Sequence, residues 1–248
     1  GLIKDEIGLD EPDEKGTFST TLLRDAVTSV LDYDQRWDAY TADQNEQEVA
    51  PALIVQVPDK VTDDALAEMV DVIEKQWPGL GPDAIVNVFG EHEPVFVGAR
   101  TIRWVPPESI QDDTDIRVVF AKEAISTGWD CPRAEVLYSE RPAKDATHIA
   151  QIIGRMVRQP LAHRIATDDV LNSVSCYLPL FDSKKLTAIK DELEGKIYGI
   201  EPGNDGNRLI IDMVDKDTFG LKGFEVVESS EQGMLAQVAR ADAAGKPI

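Results

Sequence analysis

Five short apolar runs, spaced by stretches with helical periodicity, constrain this chain more than any other feature. They are "ALIVQV" (52–57), "AIVNVF" (84–89), "IRVVF" (116–120), "AEVLYS" (134–139) and "VSCYLP" (174–179). Near-continuous apolar runs of this length are the mark of strands buried on both faces of a parallel sheet. Between the first two, Thr62 is placed to cap a helix, with Val61 stapling onto Leu66. Leu66, Met69, Val70, Ile73 and Trp77 share one face of that helix, and Pro78-Gly79 stops it. Upstream, Leu22, Leu23, Ala26, Val27, Val30, Leu31, Trp37 and Tyr40 predict one long helix from 19 to about 46, preceded by a short extended piece, "GLIKDEIGL". Strands alternating with helices imply an α/β fold: a parallel sheet, flanked by helices, with right-handed crossovers.

The pattern fades at two places. The loop "GEHEPVFVGARTIRWVPPESIQDD" (90–113) fits no single period. Beyond 186, "KKLTAIKDELEGKI" reads as a helix, "RLIIDM" and "GFEVVESS" as strands, and "QVARADAAGKPI" as a terminal helix. The expected organisation is an N-terminal segment (1–49), an α/β domain (50–185) and a small C-terminal appendage (186–248).

Composition narrows the class. No apolar run approaches the roughly 20 residues that cross a bilayer, and no signal peptide is visible. Cys131 and Cys176 are far apart, and His92, His148 and His163 lack metal-ligand spacing. These features predict a cytoplasmic protein with no metal site and no membrane partner. A net charge of −21 argues against a simple nucleic-acid binder. Residues 98–165 escape this acidity, with ten Lys/Arg against nine Asp/Glu.

Within that segment lies "THIAQIIGRMVRQP" (147–160), read as a helix capped by Thr147. At 100° per residue, Ile149, Ile152, Ile153, Met156 and Val157 fall on one side and Gln151, Arg155 and Arg158 on the other. Gly154 sits at the edge of this donor row, where a missing side chain lets another surface approach. Paired guanidinium groups suit phosphate oxygens and stay charged. The second polar stretch, "STGWDCPRA" (126–134), follows a buried strand, and strand ends are where open α/β sheets hold ligands. Ser126, Thr127 and Gly128 offer hydroxyls and turn amides of the kind that hold a nucleic-acid backbone. Asp130 is an acceptor for a ribose hydroxyl or for an arginine of the row. Trp129 and Cys131 read as core residues.

Together, "STGWDCPRA" and "QIIGRMVRQP" resemble motifs V and VI of superfamily-two helicases, closest to the helicase subunits of type III restriction enzymes and related phage-defence proteins. The resemblance spans roughly residues 50–180 and implies a RecA-like second motor domain of an ATP-dependent DNA translocase. It further implies that Arg155 and Arg158 reach the γ-phosphate, that Gln151 supports the same site, and that Gly128 and Asp130 couple nucleotide to nucleic acid. Ser126, Thr127 and Lys122 would then contact a DNA or RNA backbone, a threonine being commoner at the Lys122 position. No GK[ST] loop or DExx box is present, so ATP and Mg2+ would be shared with an N-terminal RecA-like domain of a longer parent chain, and this piece alone would be inactive. A nuclease or methyltransferase subunit is the further implied partner. The other reading is a non-catalytic interaction module that kept the helicase fold.

Overall fold

The five apolar runs all become strands of one sheet. In chain order the elements are β1 (Glu6–Asp10), α1 (Ser19–Gln44), β2 (Ala52–Gln56), α2 (Asp63–Gln76), β3 (Ile85–Asn87), β4 (Val95–Val97), β5 (Arg100–Trp104), β6 (Val118–Ala121), β7 (Ala134–Ser139), α3 (Ala146–Met156), β8 (Ser173–Tyr177), β9 (Gly199–Asp205) and β10 (Arg208–Met213). The computed structural model describes residues 4–10, 19–98, 100–122, 129–142, 146–180, 199–205 and 208–213. All of them belong to one compact unit, residues 1–214. The helix expected at 184–197, the strand "GFEVVESS" and the terminal helix lie outside the described residues.

Strand order is β4-β5-β3-β6-β2-β7-β8-β1-β10-β9. From β5 to β1 every neighbouring pair is parallel. Antiparallel strands close the two sides, β4 on β5 and the β10–β9 hairpin on β1. This is the expected α/β fold, a mostly parallel sheet with helices and an N-terminal helical segment, consistent with a RecA-like arrangement and with a periplasmic-binding-type one.

Side chains alternate across the sheet with period two. Leu53, Val55, Val118, Phe120, Val136 and Tyr138 meet Leu23, Val27, Val30 and Trp37 of α1 and Leu66, Val70 and Ile73 of α2. Ile54, Val119, Ala121 and Leu137 face the other way, toward Ile149, Ile152, Ile153 and Met156 of α3. Each such Val, Leu, Ile, Phe or Met side chain contributes about 1.5–3 kcal/mol by leaving water. The sheet is therefore a middle layer, with α1 and α2 on one face and α3 on the other.

Thr62 caps α2 as expected, its hydroxyl accepting from the Ala65 amide at 3.2 Å. The 90–113 stretch is organised by a side chain rather than by a period. Buried Asn87 donates to the Ile102 carbonyl at 3.0 Å and accepts from the Phe89 amide at 3.2 Å, tying the β4–β5 hairpin to the sheet. Among the described residues, no helix is long and apolar enough to cross a membrane.

Candidate functional site

The helix α3 separates its faces as its sequence demands. Ile149, Ile152, Ile153, Met156 and Val157 are buried, whereas Gln151, Gly154 and Arg158 are exposed and Arg155 is half-buried. Two details differ from the sequence reading. The helix begins at Ala146, so Thr147 lies inside it and is not its cap. It ends at Met156, so Arg158 sits just beyond the last helical residue. The cause is competition for the backbone and for Gln159. The Val157 carbonyl accepts from the Lys4 amide at 2.5 Å. Gln159 is drawn inward to donate to the Leu171 carbonyl at 3.1 Å and to Asn172 Oδ1 at 2.7 Å.

Because α3 runs back from the end of β7, Arg155 and Arg158 arrive at the edge where β7 begins. The segment preceding β7 also lies there and carries Asp130. Arg155 donates to the Trp129 carbonyl at 2.9 Å, and Arg158 forms an ion pair with Asp130. Of the two alternatives for Asp130, the structure thus places it against an arginine of the row. That pair is wet, with side chains 61% and 40% exposed, so an incoming anion meets Arg158 without a large desolvation cost.

Lys122 lies at the opposite edge, just past β6, and does not join this cluster. Its ammonium pairs with Glu91 at 2.6 Å and rests 4.5 Å from the centre of the Phe89 ring. The hydrogen bond from Lys122 holds the Glu91 carboxyl below its ordinary range. Ser126, Thr127 and Gly128 lie outside the described residues. Trp129 and Cys131 are buried, as core residues should be. Burial pushes the Cys131 thiol up to about 11.

Three polar residues that matter here carried no local signal in the sequence. Arg133 is buried and donates to the carbonyls of Ala50, Ile110 and Asp113, at 2.7, 3.1 and 2.7 Å, fixing the turn that leads into β7. Glu135 is the extra residue of a β-bulge, since Ala52 pairs with Ala134 while Leu53 pairs with Val136. The bulge directs its carboxylate to Trp37 Nε1, which donates to it at 2.6 Å, and to the ammonium of Lys4, with which it forms an ion pair at 3.1 Å. Lys4 and Glu135 are both fully buried. Burial lowers the Lys4 ammonium against the opposing pull of Glu135, and raises the Glu135 carboxyl against the pull of Lys4. Lysine and glutamate are rarely buried unless paired, so only tertiary structure could reveal this pair.

Chemically, Gln151, Arg155 and Arg158 are a row of donors. Such a set fits an oxyanion, a carboxylate or the phosphates of ATP, and repels a cation, so these residues would not hold Mg2+.

A family model described as the substrate binding domain of an ABC-type glycine betaine transport system matches residues 178–248. No curated protein matches the chain. The family match overturns the resemblance to superfamily-two helicases. With it fall the second-motor-domain function, the helicase-fold interaction module, the DNA-binding and phage-defence roles, and the partners drawn from them: the N-terminal RecA-like domain, the DNA or RNA backbone, and the nuclease or methyltransferase subunit. The expectation of no membrane partner falls too, because the matched family serves a transport system. The physical reason for the likeness is visible in α3. Any helix packed on a sheet by one apolar stripe presents polar residues at the same spacing on its back, and here one of those arginines is satisfied by Asp130 of the same chain.

Proposed function

We propose that this chain is a solute-binding domain and that the Gln151–Arg155–Arg158 row holds the oxyanion of its ligand. One observation carries this reading. The row faces solvent beside Asp130 while the opposite side of α3 is fully committed to the sheet. The description of the matched family supplies the ligand class: a small zwitterion with a carboxylate, such as glycine betaine. Guanidinium groups engage a carboxylate through paired, charge-assisted hydrogen bonds. On this reading the partner is the membrane component of a transport system. ATP is the competing ligand, since phosphate oxygens suit the same donors.

Isothermal titration of the chain with glycine betaine and, separately, with ATP tests this. The expected result is binding of glycine betaine that weakens at least about tenfold in Arg158→Ala, the loss typical of a charge-assisted contact. Binding of ATP alone would overturn the solute assignment. An unchanged affinity in Arg158→Ala would overturn the role of the row.

A further inference from the structure

We infer that Lys4 is a positioning residue for the oxyanion row, acting by clamping the segment that carries the row to the turn that the row bonds; this rests on the reading above. The site is built from two pieces that are distant in sequence, the row and the turn it bonds to. One is the Trp129–Arg133 turn, which contributes Asp130 and the carbonyl that receives Arg155. The other is the last turn of α3 and the residues just beyond it, which contribute Arg155 and Arg158. Lys4 bonds to both. Its backbone amide donates to Val157, the residue between Met156 and Arg158, at 2.5 Å. Its ammonium donates to the carbonyl of Pro132, two residues after Asp130, at 3.1 Å. The charge needed for that second bond is balanced by Glu135 at 3.1 Å. Glu135 is in turn fixed by Trp37 at 2.6 Å and by its place in the β-bulge.

The neighbouring bonds point the same way. The Asp5 amide donates to the Asn172 carbonyl at 2.7 Å, and Asp5 pairs with Arg164 at 2.6 Å. From Glu6 onward the chain is locked as β1 between β8 and β10. The clamp is therefore anchored by a whole strand, and Lys4 is the point where that strand reaches the site. A buried ion pair adds little to stability compared with a neutral replacement, so stability alone is a weak reason to bury one here. A requirement for a donor at the Pro132 carbonyl, at the far end of a four-carbon stem, is a specific one.

The test uses the double variant Lys4→Met/Glu135→Gln. It removes both buried charges together, retains an acceptor for Trp37, and keeps the Lys4 backbone amide, so the fold is expected to survive with a similar melting temperature. Two readouts are taken. In hydrogen exchange without ligand, peptides covering 129–134 and 155–159 exchange about tenfold faster, while β2 and β6 are unchanged. In titration with glycine betaine, affinity falls about tenfold at unchanged melting temperature. Unchanged exchange in both peptides overturns the clamp, whatever the ligand proves to be. Changed exchange with unchanged affinity also overturns it, because Lys4 would then order the turn without positioning the row. If the wild-type chain binds no oxyanion while the exchange changes, the solute-binding reading is what has failed, and Lys4 is left as a structural tie alone.

Discussion

At the scale of single residues, burial decides which side chains can do chemistry. Cys131 sits beside Asp130 in the sequence but is fully buried, and its thiol is pushed up to about 11 from an ordinary 9.0, with burial as the main cause. Two consequences follow from that direction. At pH 8.5 the native thiol stays protonated, so iodoacetamide should label Cys131 only after unfolding. The sign of the stability change is also fixed. Between pH 9 and 11 the unfolded chain has lost this proton and the folded chain has kept it, so stability falls as pH rises. The stability difference between wild type and Cys131→Ala should shrink through that window, by up to about 2–3 kcal/mol. Mass spectrometry of the labelled chain and denaturant melts at each pH check both. The core role of Cys131 and Trp129 was legible in the sequence from residue type alone. That of Lys4 and Glu135 was not, because charged residues are solvated by default and only the β-bulge and the fold bring this pair together.

At the scale of elements, local chemistry was read well wherever it was self-contained. The cap at Thr62 and the two faces of α3 are properties of a few neighbouring residues, and each formed as its sequence requires. The ends of α3 are less legible in the sequence. Its last turn is settled by Lys4, Leu171 and Asn172, which come from elsewhere in the chain. The β4–β5 hairpin escaped for the same reason, since buried Asn87 and not periodicity organises it. Gly154 gives a prediction at this scale. A Cβ built there meets nothing within 4 Å, and the residue lies inside α3. Gly154→Ala should therefore stabilise the chain by about 0.5–1 kcal/mol, read as a rise in the denaturant midpoint. If the glycine exists to let a ligand approach the row, the same variant should bind glycine betaine more weakly. A destabilised Gly154→Ala would show that the helix is not as open there as it stands.

At the scale of the whole molecule, the alternation of apolar runs and helices fixed the parallel sheet, and the order of layers followed from period-two faces. The sheet's far side was not legible. "GLIKDEIGL" reads as extended, but nothing in it says that it will run parallel to β8 and carry the β10–β9 hairpin on its other edge. The functional reading failed at this scale as well. Two short polar motifs agreed with a motor domain in spacing, whereas the match to a substrate binding domain comes from residues 178–248, where local patterning was weakest. The reading that remains makes a claim about place: the ligand's oxyanion lies against the outer side of α3. Magnetic resonance of the arginine side chains tests that place directly. On titration with glycine betaine, the Nε–H signals of Arg155 and Arg158 should shift together and saturably, while those of Arg133 and Arg117, held by Ile110 and Pro51, stay still. Binding that leaves both row arginines unmoved would contradict the account.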